Sequence, residues 1–180
     1  MDILHKLFNS VCSFQLTKQA LNKATMRVLA DIYIARDDEA VLYDRTPDIF
    51  ADRAECKGIT PLELSMLWAI MRGIEWDVAL MNEFPCILQQ DGGQRFIHRL
   101  PAAMGTELAQ LAPDPISVLA PKWAAIEELG WPPDAIRPVI GDLVSLARRA
   151  GESGRSVYLW NLVGLPRRAS ESSRSVYLWN

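Results

Sequence analysis

Cys86 and His98 are the residue types in this chain that could form a nucleophile and its base. A thiolate attacks, and an imidazole within hydrogen-bond reach takes its proton. The stretch CILQQ-DGG-QRFIHRL (86–100) reads as a β-hairpin, because Asp91-Gly92-Gly93 tolerate the positive φ of a tight turn. Its register sets residues 86–90 against 94–98, so Cys86 and His98 face each other, with Phe96 on the same side as His98. Nothing beside either residue marks it as activated, and a packed cysteine with a partly exposed strand histidine fits the same letters. The other histidine, His5, stands in an N-terminal stretch without globular patterning.

Carboxylate pairs are the second source of chemistry. Glu127-Glu128, Asp37-Asp38 and the series Asp48, Asp52 and Glu55 could supply an acid and a base if a cleft held two of them. Adjacent acids on a turn or a helix are ordinarily solvated. A second use is a docking surface: from Asp37 to Glu55 the chain carries seven acids (Asp37, Asp38, Glu39, Asp44, Asp48, Asp52, Glu55) against two arginines. Trp76 and Trp131, near predicted helix ends, are candidates for half-exposed indoles of the kind that interfaces favour.

Other chemistries find no support. No CxxC, HxxxH or CxxxH spacing points to zinc, and neither a calcium loop, a Walker lysine, a GxGxxG nor a GxSxG elbow occurs. No metal or cofactor is expected. The net charge of −3 is uneven: residues 1–25 and 162–180 are each +2, and residues 26–161 carry −7. An acidic middle repels phosphate backbones and attracts basic proteins, so the expected partner is a basic protein and not a nucleic acid. No apolar run reaches the ~18 residues needed for a membrane span. Three cysteines, odd in number and far apart, fit a reducing cytoplasm better than a disulfide framework.

The elements that must position these residues follow from periodicity. RVLADIYIA (27–35) alternates as a half-buried strand, and AVLYD (40–44) reads as its hairpin partner. Thr46-Pro47 resembles a helix start, giving a short helix over 47–56 with Asp48, Asp52 and Glu55 on one side. ITPLELSMLWAIMRG (59–73) is the clearest helix. Thr60 and Glu63 form a capping box, Pro61 opens it and Gly73 stops it. A further helix is predicted across 74–83, and three more over 101–112, 115–130 and 132–150, with interior prolines Pro121 and Pro138 as kinks. GESG (151–154) is a turn, and RSVYLWN (155–161) closes the list as a strand.

The expectation is a single α+β domain, with a mixed or antiparallel sheet of four to five strands packed by about five helices. Residues 1–25 form a basic, loosely attached arm and 26–161 the globular domain. Residues 162–180 repeat 143–161 at fifteen of nineteen positions, as a tandem duplication and an appended tail. Pro166 replaces the helical Ala147, and Ser170 and Ser173 replace Gly151 and Gly154, so the second copy cannot rebuild the helix and turn of the first.

The functional expectation is a small cytoplasmic interaction protein whose acidic face engages a basic partner. An immunity protein or antitoxin against a basic toxin is one concrete form. The alternative is a small enzyme using Cys86 and His98 or a carboxylate pair. A third reading is a structural subunit that self-associates through its apolar C-terminal strand.

Overall fold

The computed structural model describes residues 27–127 and 129–164. The predicted N-terminal arm and nearly all of the second copy of the repeat lie outside them. The described chain is a single α+β domain built on one five-stranded antiparallel sheet in the order β2-β1-β5-β4-β3. The strands are β1 (Arg27–Ala35), β2 (Arg53–Lys57), β3 (Cys86–Gln90), β4 (Arg95–Arg99) and β5 (Ser156–Gly164). Four α-helices, α1 (Pro61–Arg72), α2 (Ala102–Ala109), α3 (Pro113–Ala124) and α4 (Pro133–Ser153), join them with short 3-10 turns. None of the described helices is long and apolar enough to cross a membrane.

Strand alternation decides which side each residue faces. Ala30, Ile32, Ile34, Val157 and Leu159 point to the helices and join Leu64, Leu67, Trp123, Ile140 and Leu143 in the main core. Tyr33, Ala35, Ile97 and Tyr158 point the other way, into a smaller core with Ala40, Tyr43 and Phe50. That second core lies under a strap, residues 36–52, which links β1 to β2.

The capping box of α1 forms as predicted. The Leu62 N–H donates to Thr60 Oγ1 at 3.2 Å, the Thr60 N–H donates to Glu63 Oε2 at 2.8 Å, and Gly73 ends the helix at φ 63°. The hairpin also forms, with Asp91, Gly92 and Gly93 all at positive φ and Cys86 opposite His98. Pro121 and Pro138 sit on exposed sides of α3 and α4 and neither helix stops there. A carbonyl freed by proline is tolerated where water can reach it.

Four local expectations fail, each for a physical reason. AVLYD (40–44) is a 3-10 turn and not a strand. Ala40 and Tyr43, three residues apart, then point the same way and are both buried on the sheet, whereas a strand would have turned them to opposite faces. Residues 47–56 are not a helix: Pro47–Ile49 is one 3-10 turn, and Arg53–Lys57 is the edge strand β2. Sheet pairing outweighs the local helix-start signal there, because Ala54 and Cys56 face the main core while Arg53, Glu55 and Lys57 do not. The predicted 74–83 helix is a 3-10 segment, Val78–Glu83, capped by Asp77. Helix α4 runs through Gly151 and ends only at Gly154, whose φ of 63° is the position that needs glycine.

The last strand crosses the copy boundary. β5 continues past Asn161, and Leu162, Val163 and Gly164 pair with Leu29, Val28 and Arg27 of β1. The domain edge expected at Asn161 therefore falls inside the central strand.

Candidate functional site

The acidic stretch singled out from the sequence is the strap together with β2, and its carboxylates divide into two groups. Asp37 and Asp44 bond to the sheet, Asp44 with its side chain almost fully buried and Asp37 with its side chain 66% exposed. The Arg95 guanidinium donates to Asp44 Oδ2 at 2.6 Å and the Trp160 indole N–H to Asp44 Oδ1 at 2.9 Å, on a side chain only 1% exposed. The Tyr158 hydroxyl donates to Asp37 Oδ1 at 2.6 Å, and Arg99 to Asp37 Oδ2 at 3.0 Å. These donors come from β4 and β5. Two aspartates thus fasten the strap to two neighbouring strands.

Aromatic packing completes the fastening. Tyr33 and Tyr43 stack at 3.9 Å between centroids, Phe50 meets Tyr33 edge-on at 5.3 Å, and the Tyr33 hydroxyl donates to the Ala40 carbonyl at 2.7 Å. Burial raises the pKa of Tyr33 and Tyr43, and pushes Tyr158 up to about 12 with help from Asp37, so all three stay neutral donors. The Tyr43 hydroxyl donates to Asp31 Oδ2 at 2.9 Å. The Asp31 carboxyl is held above its usual range by burial. Glu55, directly across on β2, pushes the same way, while the Tyr43 hydrogen bond and Arg53 pull it down.

Asp38, Glu39, Asp48, Asp52 and Glu55 form the second group, of which Glu39 and Asp52 are partly covered. Asp38 pairs with Arg36 at 3.3 Å, Glu39 with Arg36 at 3.0 Å, Asp48 with Arg53 at 3.3 Å and Asp52 with Arg149 of α4 at 3.3 Å. Asp48 is 91% exposed. Glu55 is exposed on the edge strand. Between these acids the two 3-10 turns of the strap touch and show Val41, Leu42 and Ile49 to solvent, Ile49 at 66% exposure.

Trp76 and Trp131 do not join this surface. The Trp76 indole donates to Ser65 Oγ of α1 at 2.9 Å, and Trp131 packs against the main core on the helical side. Both are half-buried. The structure places them with the helices, away from the strap.

Cys86 and His98 do face each other, but the pair has little to work with. Cys56 is the free cysteine among the described residues, and Cys86 is not. Cys56 is buried, and desolvation pushes its thiol up to about 12, which leaves it unreactive. The His98 ring stacks on Phe96 at 5.9 Å, its Nδ1 is buried with no hydrogen-bond partner among the described residues, and burial lowers its pKa to about 4. Glu127 is exposed and its neighbour lies outside the described residues. Among the described residues no cluster of three His, Cys, Asp or Glu could hold a metal.

Two shallow grooves flank α4. One, of about 370 Å³, runs between α4 and the start of α3 and is lined by Ile116, Val144, Arg148, Arg149 and Glu152. The other, of about 310 Å³, lies against α2 and is lined largely by alanines and glycines with Arg99 and Arg155. Arg148 is already committed, donating to the Ala109 and Leu111 carbonyls at the C-terminal end of α2. Neither groove brings two carboxylates together.

The residues that sequence reasoning missed are Arg95, Arg99, Tyr158 and Trp160. Their signal was present as alternation: Arg95, Ile97 and Arg99 share one face of β4, and Tyr158 and Trp160 share the same face of β5 beside it. No protein family, curated protein or solved structure matches the chain.

Proposed function

We propose that this chain is a protein-interaction domain that binds a basic protein through the outward side of its strap and β2. The observation that carries this reading is the exposed apolar group Val41, Leu42 and Ile49, set among Asp38, Asp48 and Glu55. An apolar centre with a charged rim is the ordinary anatomy of a protein interface. The rim acids that have partners pair with arginines that are themselves at least partly exposed, and such pairs contribute roughly 0–1 kcal/mol. A partner's lysines and arginines can replace those contacts at little cost. Asp37 and Asp44, already bonded to β4 and β5, and the indoles of Trp76 and Trp131 drop out of the proposed surface. A basic toxin held by an immunity protein or antitoxin remains the concrete form suggested by charge and size.

The enzymatic reading has less support. Among the described residues its histidine has no carboxylate to orient it, its cysteine is not a free thiol, and neither described groove sets two acids around a cleft.

The test is affinity capture with the full chain as bait, beside Asp48→Lys/Glu55→Lys, Leu42→Asp/Ile49→Asp and, as a control on the helical side, Val118→Asp. A basic protein retained by the original chain and the control, lost from both strap variants and released by rising salt is the expected result. Equal capture by all four baits would overturn the proposal.

A further inference from the structure

We propose that residues 175–180 are a reserve strand for the β5 position, able to fill within the same chain the slot between β1 and β4 that residues 156–161 occupy. The argument starts from what the slot reads. Val157 and Leu159 are buried against the helices, Leu159 at 0% exposure. Tyr158 reaches Asp37, Trp160 reaches Asp44, and the Asn161 side-chain amide donates to the Ile59 carbonyl at 2.8 Å in a buried position. Each of these five side chains recurs in the second copy, as Val176, Tyr177, Leu178, Trp179 and Asn180, with Ser175 and Arg174 matching Ser156 and Arg155. The four differences between the copies all fall before the strand, at Ser145/Gly164, Ala147/Pro166, Gly151/Ser170 and Gly154/Ser173. The side chains that residues 156–161 present to the slot are therefore all duplicated, and every difference falls in the helix-and-turn part of the repeat.

Those differences do not hinder the exchange. Helix α4 and its Gly154 cap stay as the first copy builds them, and only the strand changes hands. Copy two then follows a linker of about twenty residues, and closure entropy grows only with the logarithm of loop length. Gly164 and Pro166, which forbid a second helix, suit such a linker. The first copy keeps the slot in the intact chain for two reasons. The turn at Gly154 is short, and Leu162–Gly164 extend the pairing of the first copy with β1.

Three full-length variants test this: Leu159→Asp, Leu178→Asp and the double variant. A buried charge at position 159 is incompatible with the core, so Leu159→Asp must either expel copy one or unfold the sheet. Urea unfolding followed by tryptophan fluorescence should leave Leu178→Asp at the original midpoint. Leu159→Asp should keep a cooperative transition at a lower midpoint, and the double variant should lose the transition. Hydrogen exchange should find residues 175–180 protected in Leu159→Asp, in a protein that light scattering reports as a monomer. Loss of the transition in Leu159→Asp alone would overturn the proposal. So would rescue confined to oligomers, in which the strand comes from another molecule.

Discussion

The two faces of the sheet are held by different physics. On the helical side, apolar side chains at helical and strand spacing make one continuous core, with few polar groups inside it. On the strap side a small aromatic core is ringed by hydrogen bonds and ion pairs, and a 3-10 turn stands where a strand might. The first face depends on area removed from water, which is non-directional and tolerant of detail. The second depends on a few directed contacts, the buried one being that of Arg95 and Trp160 with Asp44, and each fails if its partner moves.

The largest predicted effect belongs to the helical face. Trp123 is fully buried and its indole donates to the Glu63 carbonyl at 2.9 Å, so Trp123→Ala should lower unfolding free energy by about 3–5 kcal/mol in urea titrations. A smaller loss would mean that the helices depend on the sheet less than the core implies.

His98 sharpens the comparison through pH. Its folded pKa, about 4, lies below the unfolded value near 6.5, so the unfolded chain binds more protons between the two. Stability from this group is complete above the unfolded value and falls as pH drops toward 4, by roughly 3 kcal/mol in all. Asp31, raised by burial, works with the opposite sign as its carboxyl protonates. Thermal melts from pH 7 to 4 should show the loss, and His98→Phe should flatten it.

On the strap side, Tyr158→Phe removes a single hydroxyl bonded to Asp37 and should cost about 1–2 kcal/mol while leaving the aromatic packing in place. Smallest of all is Asp48→Lys, which should stay within about 0.5 kcal/mol of the original chain in the same assay. A large loss there would move Asp48 into the group bonded to the sheet and weaken the case for a docking rim.

Legibility followed the same division. The helical side could be read because its signals are local: the Thr60–Glu63 capping box, the i, i+3, i+4 series through Leu64, Leu67 and Trp68, and the Asp-Gly-Gly hairpin. The α+β class and the Cys86–His98 pairing followed from them, but a bulge between Cys86 and Leu88 shifts the rest of the expected register by one, so that Leu88 pairs with Ile97 and Gln90 with Arg95. The strap resisted because its structure is set by residues 50–120 positions away. Arg95 reaches Asp44, and Tyr158 reaches Asp37, across most of the chain. An acid that will bond to the sheet looks the same in sequence as one that will not. The exception was β2, where Arg-Ala-Glu-Cys-Lys carried a clean alternation that the neighbouring Thr46-Pro47 start signal obscured. The acidic stretch was found, but the division of its acids was not.

That division is the central claim, and double-mutant cycles test it most directly. The Asp44–Arg95 pair and the Asp48–Arg53 pair use the same chemical groups, one almost excluded from water on its aspartate side and one open to it. Alanine cycles on both, read as urea unfolding free energies, should give a coupling of about 2 kcal/mol or more for the first and under about 0.5 kcal/mol for the second. Equal couplings, or a larger one for Asp48–Arg53, would contradict the account.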